Sequence, residues 1–98
     1  MSATASAAKF QLGQIVATPN ALNHLSQDDI RSGIIRHQSG DWGDLDADDR
    51  KENDQALERG TRLLSAYRAS NGVTFWIITE ADRSATNVEL HISGVMLS

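Results

Sequence analysis

The spacing of apolar and polar positions divides the chain into a helical middle and a β-rich last third. Phe10 to Ala17 has the length and β-branched content of a strand. Thr18-Pro19 closes it and opens a short helix over Asn20–Leu25, with Thr18 as cap and Pro19 in the first turn. Ser26 with Asp29 marks a second helix start, followed by Ile30, Ile34 and His37 at helical spacing, with Ile35 beside them, and a stop at Gly40. Asp41-Trp42-Gly43-Asp44-Leu45 reads as a loop. Asp46 with Asp49 repeats the capping pattern for a third helix over Ala47–Arg59, ended by Gly60.

Beyond Gly60 the period changes. Arg62–Ala69 and Val73–Thr79 are β-rich runs joined through Ser70-Asn71-Gly72, and Asn-Gly predicts a two-residue type I′ hairpin turn. That turn sets Tyr67 opposite Trp76 and Ala66 opposite Ile77. Val73–Thr79 is apolar on both faces, as in a central strand covered on both sides. Asn87–Ile92 alternates, with Val88, Leu90 and Ile92 on one face and Asn87, Glu89 and His91 on the other, as in a half-exposed edge strand. The order is β-α-α-α-β-β-β. It predicts an α+β domain over residues 10–98: an antiparallel sheet of about four strands, a C-terminal meander, and helices on one face. Residues 1–9 read as a disordered tail. The expected core is Leu64, Ala66, Phe75, Trp76, Ile77, Ile78, Val88 and Leu90, with Ile30 and Ile34 packing from the helices.

Composition narrows the function more by exclusion than by selection. At 98 residues and 40% apolar content, one globular domain is expected. Cysteine is absent, which removes disulfides, thiol nucleophiles and thiolate metal sites. No apolar run is long enough for a membrane helix, and the first residues lack a signal-peptide pattern, so a cytoplasmic protein is expected. The net charge is −4, and between Asp41 and Glu58 eight acidic residues face two basic ones. The other basic residues form no cluster, so direct nucleic-acid binding is not expected.

Candidate chemistry is sparse. No G-x-S-x-G or S-x-x-K motif is present. His24, His37 and His91 fall on three different elements, His37 at a helix C-terminus where the dipole accounts for it. The aspartates at 41–49 do not meet the calcium-loop pattern, because Gly43 precedes the acidic run, so capping and solvation account for them. Neither a catalytic residue, a metal ligand nor a cofactor is expected. Two loops remain: Asp41–Asp44, where Trp42 either folds onto the core or stands exposed as a partner anchor, and Glu80–Thr86 after the most apolar strand. The third helix offers little beyond Ala56 and Leu57 as an apolar stripe, and acids crowd its first turns.

Leu12-Gly-Gln-Ile-Val-Ala-Thr-Pro19, Gly40-Asp-Trp-Gly-Asp-Leu45, Ala56-Leu-Glu-Arg-Gly60, Leu64-Ser-Ala-Tyr67 and Phe75-Trp-Ile-Ile-Thr-Glu-Ala-Asp-Arg-Ser84 resemble a small bacterial family over residues 12–90. Its members are often carried on plasmids and mobile elements, some labelled plasmid-related protein or type I restriction endonuclease subunit M. The resemblance implies a genomic setting and no catalytic residues. A methyltransferase subunit needs a cofactor-binding α/β domain with a glycine-rich loop, for which this chain has no room.

Two functional readings follow. One is a non-enzymatic acidic interaction domain, an accessory or counter-defence factor, that binds an unidentified protein through Trp42, Asp44, Asp48, Glu52, Asp54, Glu80, Asp82 and Arg83. The alternative is a small-ligand or metal-binding enzyme using carboxylates of the 41–46 and 80–86 loops, which requires those loops to converge.

Overall fold

The computed structural model describes residues 8–91. The expected tail over residues 1–9, all but its last two positions, and Ile92 of the last predicted strand lie outside them. The elements are β1 (Gln14–Ala17), α1 (Pro19–His24), α2 (Gln27–Gln38), α3 (Ala47–Arg59), β2 (Leu63–Arg68), β3 (Thr74–Thr79) and β4 (Ala85–Leu90). This is the α+β order expected, with the helices on one side of a four-stranded sheet. All three caps form as the sequence dictates. Thr18 accepts from the Ala21 amide at 3.1 Å, Ser26 from Asp29 at 3.0 Å and Asp46 from Asp49 at 2.9 Å. Gly60 ends α3 in the left-handed region at φ 73°.

The sheet order is β1-β4-β3-β2. β2–β3 and β3–β4 are antiparallel, giving the meander, but β1 runs parallel to β4. The sheet is therefore mixed and mostly antiparallel. β4 lies between β1 and β3 and is not the edge strand its alternation suggested. Its inward residues Thr86 and Val88 are fully buried, while Asn87 and Glu89 stay half-exposed because no helix covers that side. Alternation reports on the two faces of a strand and says nothing of its edges.

The β2–β3 register also differs from the expectation by one residue. Tyr67 pairs with Phe75 and Ala66 with Trp76. The Ala69 carbonyl accepts from the Gly72 amide at 2.9 Å, and the Ala69 amide donates to Val73 at 2.8 Å, so Ser70-Asn71-Gly72 forms a three-residue loop. Gly72 has φ 88° as required, but Asn71 is not in the left-handed region, which excludes a type I′ turn. Asn71 is recruited elsewhere: its side chain accepts from the Val73 amide and donates to the His24 carbonyl at the end of α1. Ser70 likewise donates from its amide and hydroxyl to Asp29. Tertiary ties to the helices thus select the loop.

This register sends Leu63, Ser65, Tyr67, Phe75, Ile77, Thr79, Thr86 and Val88 toward the helices, where each is fully or almost fully buried. Of the expected core, Phe75, Ile77 and Val88 lie here, with Ile30, Ile34 and Leu90 packed at its margin. Leu64, Ala66, Trp76 and Ile78 alternate to the opposite face, where Ala66 and Ile78 are buried as expected, Leu64 borders the α3 groove, and Trp76 is only half-buried and stacks on His91 at 4.5 Å between ring centres. Gly33 lets α2 approach the sheet, since a Cβ there would meet the Phe75 ring at 2.9 Å. A second cluster joins Trp42, Ala56 and Leu63, with Phe10, Leu45 and Leu57 around it.

Candidate functional site

Polar groups at the junction of the two clusters are organised around His37. Its ring has no solvent exposure. Nδ1 lies 2.5 Å from Ser65 Oγ and Nε2 2.9 Å from Thr79 Oγ1. Thr79 continues to Thr86 Oγ1 at 2.8 Å, and Thr86 donates to the Leu12 carbonyl at 2.7 Å. Phe10 and Trp42 meet the imidazole edge-on at 5.2 and 5.7 Å. Burial, with the Arg83 charge adding to it, lowers the His37 pKa to about 4, so the ring is neutral at pH 7. His37 is thus a core group, not a solvated residue at a helix end. Ser65 beside it is equally buried.

The structure sorts the sequence-predicted site residues into two sets. Trp42 belongs to the fold. It is 3% exposed, and its indole N–H donates to Asp54 at 3.0 Å, so it does not stand out as a partner anchor. A large aromatic beside Leu63 and Ala56 gains more from burial than from solvent, and Asp54 satisfies its single polar atom. The loop around Trp42 is tied down on both sides. Arg36 forms an ion pair with Asp41 at 2.7 Å and lies over the Tyr67 ring, whose hydroxyl donates to the Asp41 carbonyl. The Ala66 amide donates to the Trp42 carbonyl, and the Asp44 amide donates to Ala66.

Arg83 is structural too. With φ 61° it turns its guanidinium onto the carbonyls of Thr61 at 2.7 Å, Glu80 at 3.1 Å, Ala81 at 3.2 Å and Ala56 at 3.3 Å. It therefore closes the C-terminus of α3. Glu80 accepts from Asn87 at 3.3 Å on the helix-free face, and Asp82 accepts from the Ser84 amide at 3.0 Å. The loop between β3 and β4 is tight, Glu80–Ser84, because Ala85 and Thr86 belong to β4.

The 41–46 and 80–86 loops share Phe10, which stacks on Trp42 and lies under Arg83, but their carboxylates are not gathered into one group. Asp46 caps the start of α3 while Arg83 binds Ala56 near its end, a separation of about 15 Å at the rise of a helix. Among the described residues, no three His, Asp or Glu side chains are grouped to hold a metal ion.

What remains exposed is the outer face of α3. Asp44, Asp48, Glu52 and Asp54 are exposed, with Asp49, Arg50, Lys51 and Glu58 around them. The helix is held from its inner side by Ala56, Leu57 and Asn53. Asn53 escaped the sequence reading. It is 5% exposed, donates to the Leu64 carbonyl and accepts from the Leu64 amide at 3.2 Å, so it satisfies the outer edge of β2 as a neighbouring strand would. An amide in an acidic helix carries no sequence signal for that role. A groove of about 430 Å³ runs between α3 and β2, lined by Leu45, Glu52, Arg59, Arg62 and Leu64 among others. No family model, no curated protein and no solved structure matches this chain.

Proposed function

We propose that the chain is a non-enzymatic, acidic protein-interaction domain acting in the cytoplasm, whose partner docks on the outer face of α3. The carrying observation is the division of labour on that helix. Asn53, Ala56 and Leu57 attach it, Asp46 and Asp54 hold its start and Trp42, and the exposed acids Asp48, Glu52 and Glu58 make none of the tertiary hydrogen bonds or ion pairs found among the described residues. A charged face of this kind speeds encounter with a basic partner. Asp44 borders it, whereas Glu80 and Asp82 belong to the loop beyond its far end. The motif likeness to plasmid-borne proteins motivates an accessory or counter-defence role for the domain.

The test is affinity capture from the native host with wild type and with Asp48→Asn/Glu52→Gln, Asp54 being kept because it holds Trp42. The variant should melt within a few degrees of wild type, since surface changes stay within about 0.5 kcal/mol each. Its association rate should fall, and the difference should shrink as salt screens the charges. Equal rates at low salt would make this face a solvation device and remove the proposal's support.

A further inference from the structure

The edge of the sheet opposite α3 has a different character. The outer edge of β2 is closed by Asn53 on Leu64 and by residues 42–44 on Ala66. β1 is the other edge. The Gln14 and Thr18 amides donate to Ser84 and Val88 of the β4 side, so the alternate residues Ile15 and Ala17 direct their backbone groups outward. The large hydrophobics most exposed among the described residues all gather here: Ile15 48%, Val16 43%, Leu22 61% and Ile35 52%. Ile15 and Val16 occupy the two faces of β1, so the strand is apolar on both. On the helix side, Ile15, Ala17, Leu22, Ile30, Ile34 and Ile35, together with Gln27 and Arg31, line an open groove of about 370 Å³. Residues 10–27 contain no Asp, Glu, Lys or Arg, in a chain that carries 22 such residues.

We propose that this edge is a self-association surface, on which a second copy of the chain pairs its own β1 antiparallel about a two-fold axis at Val16. The geometry is self-complementary. With Val16 opposite Val16 of the second copy, Ile15 of each chain faces Ala17 of the other, and the outward groups of these residues close about four backbone hydrogen bonds. Pairing ends there, because Pro19 has no N–H and Gly13 turns away at φ 64° against Ser84. The two grooves then meet over Ile15, bringing Leu22 and Ile35 of both copies under cover. An open strand edge flanked by apolar side chains on both faces is what natural sheets avoid exposing, and here neither lysine nor a bulge protects it.

The charge distribution selects a copy as the occupant. Two chains of net charge −4 repel unless their acids are kept apart. Pairing at β1 makes a continuous eight-stranded sheet with the two α3 helices beyond its outer strands. Seven strand spacings separate these by about 33 Å, several times the screening length of about 8 Å at physiological salt. Arg31 is the one charged side chain lining the groove; the otherwise uncharged edge fits an identical edge, whereas a basic partner finds its match on α3. A four-residue pairing with a small groove falls toward the low end of interface sizes, so the dimer should form in the range of tens to hundreds of micromolar, on the order of a transient complex. This inference is independent of the proposed partner on α3.

The test is analytical ultracentrifugation of the full chain from about 1 µM to 1 mM, with amide exchange over the same range. The expected result is a mass rising from one copy to two, protection of the Ile15 and Ala17 amides rising with it, and no weakening at high salt. Val16→Lys places a charge at the axis, and Leu22→Glu places one over the groove at a position 61% exposed. Each should weaken the dimer at least about tenfold, and Leu22→Glu serves if Val16→Lys perturbs β1. A monomer at every concentration overturns the proposal, whether residues 92–98 of the same chain or another protein then cover the groove. So does a dimer indifferent to both substitutions.

Discussion

Acidification should destabilise this protein through a single buried imidazole. His37 is neutral in the fold, with a pKa lowered to about 4 from the ordinary 6.5 by burial and by Arg83. The unfolded chain takes up a proton at about 6.5, so between pH 6.5 and 4 it binds more protons than the folded chain and gains stability relative to it. Unfolding free energy should therefore be constant above about pH 7.5 and fall through that window, by up to 1.4 kcal/mol per pH unit. The full loss is about 3 kcal/mol, a large part of the roughly 5–15 kcal/mol that holds a domain together. Asp29, Asp41 and Asp82 enter only at the acid end of the window. Hydrogen bonds from Ser70, Arg36 and Ser84 lower their pKa values, and stability held that way is lost as pH falls from about 5 through the carboxylate range. Urea melts read by tryptophan fluorescence at steps from pH 7.5 to 4.5 measure the slope, and Trp42, 5.7 Å from the ring, reports on the site itself. His37→Gln supplies the control. It should cost about 1–3 kcal/mol at pH 7.5, where Ser65 and Thr79 lose their partner, and its own pH dependence should be nearly flat. Stability level to within about 0.5 kcal/mol down to pH 4.5, or an equal slope in His37→Gln, would refute the argument.

Three further outcomes are expected from the packing. Phe75→Ala should cost about 3–5 kcal/mol in denaturant melts, because the ring is 1% exposed between Tyr67 and Gly33; a loss below about 1 kcal/mol would misplace the core. Gly43→Ala should destabilise by more than about 1 kcal/mol, since its φ of 79° disfavours a side chain and the new Cβ collides with the Ala66 carbonyl; unchanged melting would show that the 42–44 bridge is dispensable. Trp42→Phe should cost about 1–2 kcal/mol by stranding Asp54 and thinning the second cluster, and a double-mutant cycle should find Asp54→Ala less costly in the Trp42→Phe background than in wild type.

Local chemistry by itself determined the elements. Thr18, Ser26 and Asp46 cap the helices they were expected to cap, Gly60 ends α3, and the apolar run of β3 marks the central strand, because each signal acts within a few residues. The acidic face of α3 was legible for the same reason: a helix without a broad apolar stripe has to turn its charges outward. Tertiary structure decided the rest. The hairpin register rests on Asn71 reaching His24 and Ser70 reaching Asp29, 47 and 41 residues away, which outweighs the local preference of Asn-Gly for a type I′ turn. The parallel union of β1 with β4 buries Val88 and frees a different edge, and pairing between distant strands leaves no mark in either pattern. Trp42, His37, Arg83 and Asn53 read as loop, helix-end, turn and helix-surface residues. Each became structural only when folding brought Asp54, Ser65, Ala56 or Leu64 within reach, because a buried polar group must find its partner wherever in the chain that partner lies.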